Sequence, residues 1–206
     1  MTADLVPPGF AAADIGSDHA RLPVHLVRLG LCPRAIASDI AGGPLENARK
    51  TVARANLQDK IELRLSNGFQ EFSPSDASCW ILAGMGGTLM ARLLDAAPWL
   101  CAPGVILVAQ PMRRADDLRA WLITHGFAIE IESACTDAKR PYHALRAVHD
   151  GIARQYPPGY AHYGELIHNP GPIARELLAR ELRLLEARQQ NTPTKEALDD
   201  FRSRYL

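Results

Sequence analysis

Between Phe10 and His149, short apolar runs alternate with segments whose apolar residues recur every three or four positions, the periods of strand and helix. Residues 10–15 read as a buried strand that ends in the loop Gly16-Ser17-Asp18-His19. A short helix follows, with Pro23 near its start and Gly30 after its end. Residues 35–39 form a second strand closed by an acid. Pro44 then opens a helix with Leu45, Ala48, Val52 and Ala55 on one face. Ile61, Leu63 and Leu65 alternate with Glu62 and Arg64, which predicts a strand with one polar face. Residues 79–83 and 105–109 are unbroken apolar runs, as central strands covered on both sides require. Leu118, Trp121 and Leu122 mark a helix over 115–125. Two last strands, 127–133 and 143–149, are joined by a polar loop rather than a helix.

Strands alternating with helices predict an α/β fold with a parallel, doubly wound sheet, and the helix-free connection at the end predicts an antiparallel hairpin at one edge. That makes seven strands. After Ala147 the composition changes. Tyr156-Pro157-Pro158-Gly159-Tyr160 and Asn169-Pro170-Gly171-Pro172 are turn-forming clusters. Residues 173–190 carry Ala174, Leu178, Leu182 and Leu185 on one stripe. Thr192-Pro193 reads as a helix start, and Leu198, Phe201 and Tyr205 line the final helix. The division expected is therefore a sheet domain over 1–149 and a small appendage of antiparallel, coiled-coil-like helices over 150–206. Basic and acidic residues number seven each from Glu165 onward, which suits a solvated, ion-paired face; a dimer or RNA contact is the sharper alternative.

With 206 residues and 47% apolar content the chain can bury a full core. Its 23 basic and 23 acidic residues cancel, which excludes a protein that coats nucleic acid non-specifically; any such contact must come from a local patch. No apolar run approaches the ~20 residues that cross a bilayer, and no export leader is visible, so a cytoplasmic protein without membrane contact is expected. The four cysteines are far apart and form no Cys-x-x-Cys pair, which predicts reduced thiols and no metal site.

Ligands of open parallel sheets bind beyond the carboxyl ends of the strands, at the point where strand order switches. Four loops there carry candidate chemistry. Asp14, Gly16 and Ser17 lead into Asp18 and His19, and the glycine lets backbone come close to a ligand. Asp39 can accept both hydroxyls of a ribose, at roughly 1.5–3 kcal/mol per charge-assisted bond, or cap the next helix. Asn67 and Gly68 offer an amide and a backbone N–H to an adenine edge, or only a turn. Ala83-Gly84-Met85-Gly86-Gly87 opens a helix after a buried strand, with Gln110-Pro111 beside it. The spacing is not Gly-x-Gly-x-x-Gly, which counts against a dinucleotide.

Taken together, Asp-Ile-Gly-Ser-Asp-His-Ala, the acid at 39, Ala-Gly-Met-Gly-Gly and Gln-Pro resemble the bacterial tRNA (adenine-22 N1)-methyltransferase family over about residues 4–190. The resemblance implies a Rossmann-like class I methyltransferase sheet, S-adenosylmethionine as cofactor (S-adenosylhomocysteine as product, no metal), tRNA as partner, and a monomer or homodimer. It places the methionine moiety near Gly16 and Gly84, flanked by Ala83, Met85 and Gly86. Ribose falls on Asp39, adenine beside Asn67 and Gly68, and a catalytic acid at Asp18; His19, from its own position, either assists or simply opens the helix. The family has Asp at the position of Asn67, Asn at Met112 and Tyr at Arg21. On the substrate side, Arg21, Arg113, Arg114, Lys139 and Arg140 converge as a local phosphate field, with Gln110, Pro111 and Tyr142 on the same rim. A methyltransferase of this fold with another acceptor, or a non-catalytic RNA- or cofactor-binding relative, are the alternatives.

Overall fold

The two continuous apolar runs form the centre of the sheet. In the computed structural model, which describes residues 1–168, 170–188 and 192–206, they become β4 (Cys79–Gly86) and β5 (Ile106–Arg113). β1 (Ala12–Ile15), β2 (Ala35–Asp39) and β3 (Ile61–Leu65) lie to one side, β6 (Phe127–Asp137) and β7 (Arg140–His149) to the other. The order is β3-β2-β1-β4-β5-β7-β6, with β1 to β5 parallel and β7 antiparallel to both β5 and β6. The switch in strand order therefore falls between β1 and β4.

Alternation along the central strands sorts side chains to two faces. Cys79, Ile81, Ile106 and Val108 pack with Val24 and Val27 of α1 (Arg21–Arg28) and Ala48 and Val52 of α2 (Gly42–Arg54). Trp80, Leu82, Leu107 and Ala109 pack with Met90 and Leu94 of α3 (Gly87–Asp95) and Leu118 and Leu122 of α4 (Ala115–Thr124). The second cluster continues into the C-terminal helices: α5 (Tyr160–Tyr163), a 3-10 turn at Gly164–Ile167, α6 (Pro172–Ala187) and α7 (Thr192–Tyr205). Tyr205 donates to the Arg175 carbonyl at 2.9 Å, so α7 runs back along α6. The appendage thus shares one apolar core with the sheet. Asn169 and the expected helix end at Gln190 lie outside the described residues. Among those described, no helix is long and apolar enough to cross a membrane.

A buried ion pair joins these parts. Arg119 of α4 is 2% exposed; its Nε donates to Glu132 of β6 at 2.9 Å, and its Nη1 donates to the carbonyls of Ala161 and His162. The other Glu132 oxygen accepts the Glu165 and Leu166 N–H groups. Gly164 fits above the pair because a Cβ there would lie 2.1 Å from Glu132 Oε2.

Several expected boundaries move. β1 begins at Ala12, leaving Phe10 exposed, and Leu65 is 58% exposed because β3 is an edge strand whose end leaves the core. The glycine run does not open α3 directly: β4 continues to Gly86, with a bulge between Ala83 and Met85. The polar loop expected after residue 133 is instead strand, up to a two-residue turn at Ala138 and Lys139, φ 45° and 64°. Both take the left-handed conformation of a tight hairpin, at roughly 1–2 kcal/mol each for a non-glycine residue. The end of a hairpin that has left the sheet is only partly covered, and 136–140 are exposed, so no apolar alternation announces it.

Candidate functional site

The loop after β1 is shaped by backbone. Gly16 has φ +80°, a left-handed conformation that strains any residue with a Cβ, and a Cβ there would also push the Met85 methyl aside. The N–H groups of Gly16 and Ser17 both donate to the Ser38 carbonyl, at 2.8 and 2.7 Å, fastening the loop to β2. Beneath it Asp14 is buried; desolvation lifts its carboxyl to about 6, against a hydrogen bond from Ser17 that favours ionisation. Asp18 and His19 project outward as a pair, Oδ2 to Nε2 3.1 Å. Helix α1 then starts without a side-chain cap, leaving first-turn N–H groups directed at the rim.

Asp39 ends β2 half-buried. One carboxylate oxygen accepts the Ala41 N–H at 2.9 Å, and no other side-chain bond is made among the described residues, so the second oxygen faces the rim free. Asp39 does not cap α2, whose N-cap is Ala41. The Asp39 carbonyl accepts from Ser66, and the Ser66 hydroxyl donates to Gly68 at 2.8 Å and accepts from Glu71 at 3.2 Å. That buried serine sets the turn that exposes Asn67 and holds Gly68 at φ +59° against Leu93. On the fourth loop, Gly84 has φ +78° with open space where its Cβ would be, and its N–H donates to Gln110 Oε1 at 3.1 Å. The Gln110 amide thus braces the bulge, and its nitrogen reaches Met112 Sδ at 3.6 Å.

Asp14, Gly16, Ser17, Asp39, Asn67, Gly68, Ala83, Gly84, Met85 and Gly86 lie on consecutive loops across the switch point, tied through Ser38, Ser66 and Gln110. The glycines leave a cradle that side chains would fill, and Asp39 adds an acceptor next to it. This set can hold a small ligand against the backbone, with a carboxylate acceptor beside it.

The substrate-side residues divide. Pro111, Arg113, Arg114, Arg140 and Tyr142 line a cleft of about 810 Å³ between β5, β7 and α6. Arg21, Gln110 and Lys139 are outside its lining. Arg114 is held by Asp116 and Asp117, which offsets its charge. Its backbone is also left-handed (φ 56°), with its carbonyl only 2.0 Å from where a Gly87 Cβ would be. Gly87 thus sets the meeting of α3 and α4, a role hidden in the motif because its partner is remote in sequence. Asp116, His162 and Glu181 also bring ligand-type atoms within 4.8 Å of one another in the cleft, a grouping that no spacing announces. Arg114 and Arg188 stand 3.1 and 3.5 Å from Asp116 and supply positive charge there.

A family model described as a methyltransferase domain matches residues 1–145. The chain is 32% identical over 158 residues to the tRNA (adenine(22)-N(1))-methyltransferase of Bacillus subtilis (strain 168), across 73% of this chain and 66% of that one, just under two thirds of the relative's length. Among solved structures, a Streptococcus pneumoniae protein described as a putative tRNA (m1A22) methyltransferase in complex with S-adenosyl-L-methionine is 33% identical. It superposes with TM-score 0.85 over 100% of this chain and 96% of that one. The B. subtilis M1A22 tRNA methyltransferase is 27% identical with TM-score 0.81, over 99% and 92%. With the seven-stranded sheet and the four loops across its switch point, these matches show that the chain belongs to the methyltransferase-domain family, in the group of the tRNA (adenine(22)-N1)-methyltransferases.

Proposed function

We propose that this protein methylates N1 of adenine 22 in tRNA, in the cytoplasm, with S-adenosylmethionine as donor. The observation that supports it most is the convergence of the glycine turn at 16, the bulge at 84 and the acid at 39 on one switch point, beside a cleft edged by cations. When bound, S-adenosylmethionine supplies a methyl carbon made electrophilic by its sulfonium, and S-adenosylhomocysteine is left. The target N1 attacks with its in-plane lone pair and the ring becomes cationic, so no base is needed to form the bond. The protein's work is positioning. Gly16 and Gly84 admit the cofactor's tail to the backbone, Asp39 takes the ribose hydroxyls, and Asn67 with the Gly68 turn reads adenine. Asp18, with His19 beside it, accepts a hydrogen bond from the exocyclic amine of the target, whose acidity rises as the ring gains charge. Arg21, Arg113, Lys139 and Arg140 supply the field for RNA phosphates, Arg114 less so because two aspartates offset it, with Gln110, Pro111 and Tyr142 at the rim.

A second reading, methyl transfer by the same fold to another acceptor, draws on Met112, a thioether 48% exposed on the cleft. Labelled S-adenosylmethionine, bulk tRNA and nucleoside analysis separate the two. Label in N1-methyladenine is expected; label only in another product favours the second reading, and cofactor binding without turnover would defeat both. Asp18→Ala is expected to lower kcat about 100-fold with unchanged cofactor affinity by calorimetry; unaltered turnover removes Asp18 from the mechanism.

A further inference from the structure

The hairpin β6–β7 belongs to the sheet only through its lower half. β7 pairs with β5 from Ile106↔Val148 to Ala109↔Leu145 and no further, whereas β6 and β7 stay paired to Asp137↔Arg140. β5 meanwhile continues to Arg113, paired with β4. Above Ala109 the two diverge: β5 stays with the sheet and the hairpin leaves it as an arm packed on α6 and the 3-10 turn. Since β7 runs antiparallel, the arm projects on the side where the parallel strands end, beside the loops of the cofactor site. The cleft is the gap between them, and α6 closes it with Leu177, Arg180 and Leu184.

Its walls combine three features. The side chains of Arg113, Arg140 and Arg180 make no ion pair or hydrogen bond among the described residues, unlike Arg114 and Arg188, which pair with Asp116. The Tyr142 ring is half-buried with no aromatic partner among the described residues. Met112 and Leu184, 48% and 41% exposed, add apolar surface to the lining from β5 and α6. The opening is held at a set width by His162–Glu181 at 3.0 Å, between α5 and α6, and Arg188–Asp116 at 3.5 Å, between the residue following α6 and α4. An unpartnered aromatic ring among apolar side chains, rimmed by free guanidinium groups, is what an unpaired stretch of RNA requires: a surface for base stacking and donors for phosphates. A paired helix exposes no base face to such a ring.

We propose that the cleft between the β6–β7 arm and α6 holds unpaired nucleotides adjoining the one that is methylated, one base stacked on Tyr142 and the flanking phosphates on Arg113, Arg140 and Arg180. This rests on the reading of the protein as an RNA methyltransferase and adds which RNA segment is gripped, and by which walls.

The test is the affinity of fluorescently labelled tRNA across a salt series, with KM and kcat for tRNA measured alongside. Tyr142→Ala is expected to weaken tRNA binding at least 5-fold, and Tyr142→Phe, which keeps the ring, to recover most of that loss. Arg140→Ala with Arg180→Ala is expected to raise KM for tRNA more than 10-fold and to flatten the slope of log affinity against log salt by about 1.4. Heat of S-adenosylhomocysteine binding stays at the wild-type value in every variant, which shows that they fold. Wild-type affinity and salt slope in these variants would overturn the proposal while leaving the methylation reading intact. If the wild-type protein binds tRNA but transfers no methyl group, the methylation reading fails and the variants' affinities still decide the cleft. If it binds no tRNA, both fail.

Discussion

The two rims of the sheet's carboxyl edge are built by different means. Around β1, β2 and β4 the site is made of backbone: left-handed glycines at 16, 68 and 84, and N–H groups committed to Ser38 and Gln110. Around β5, the arm and α6 it is made of long side chains from segments distant in the chain, held in place by the Arg119–Glu132 and His162–Glu181 pairs. A backbone site depends on glycine's left-handed conformation at 16, 68 and 84 but needs little from the rest of the fold. A side-chain site tolerates single changes but depends on how the appendage docks. The first suits a cofactor of constant shape, the second a large and variable polymer.

The largest expected effect separates the rims from the appendage side. Arg119→Ala leaves Glu132 buried without its partner and should cost about 3–5 kcal/mol of unfolding free energy in urea. In the folded fraction, tRNA affinity should fall much more than cofactor affinity; equal losses would mean that the rims are not independent.

Next comes Asp14, which lies only on the backbone side. Its native pKa of about 6 is raised above the ordinary 3.8, so the fold loses free energy as pH climbs through that interval. The loss reaches about 3 kcal/mol by neutral pH. Asp14→Asn should therefore be more stable than wild type at pH 7 and no more stable below pH 4. A difference independent of pH would show that Asp14 titrates normally.

Gly16→Ala adds a methyl group at φ +80°, against Met85, and should weaken S-adenosylhomocysteine binding about 100-fold by calorimetry. Retained affinity would mean that the cofactor does not approach this turn. The smallest effect expected is at Asp39: Asp39→Asn keeps the shape but loses the charge, and about a 10-fold loss of cofactor affinity should follow. A loss of tRNA affinity instead would move Asp39 to the other rim.

Much of the backbone rim was legible because its information is local. A buried strand followed by glycine, or closed by an acid, is readable within a handful of residues, and the alternation of elements predicts a doubly wound sheet, though its strand order came from the structure. The cleft was legible only in part. Arg113, Arg140 and Tyr142 were named, yet nothing in their spacing distinguished them from Arg114, whose charge Asp116 and Asp117 offset. Residues 134–142 were read as a loop because this end of the hairpin is only partly covered, with 136–140 exposed, and so carries no apolar period.

Periodicity and glycine placement along this chain were enough to specify a seven-stranded doubly wound sheet and the glycine turns at its carboxyl edge, since each depends on steric rules acting over a few residues. How far the hairpin leaves the sheet, which guanidinium groups stay unpaired, and that α6 faces Tyr142 across a gap were settled by packing. Those features are sums over contacts between residues tens of positions apart, where burial of one apolar core and satisfaction of its few charges select a single arrangement.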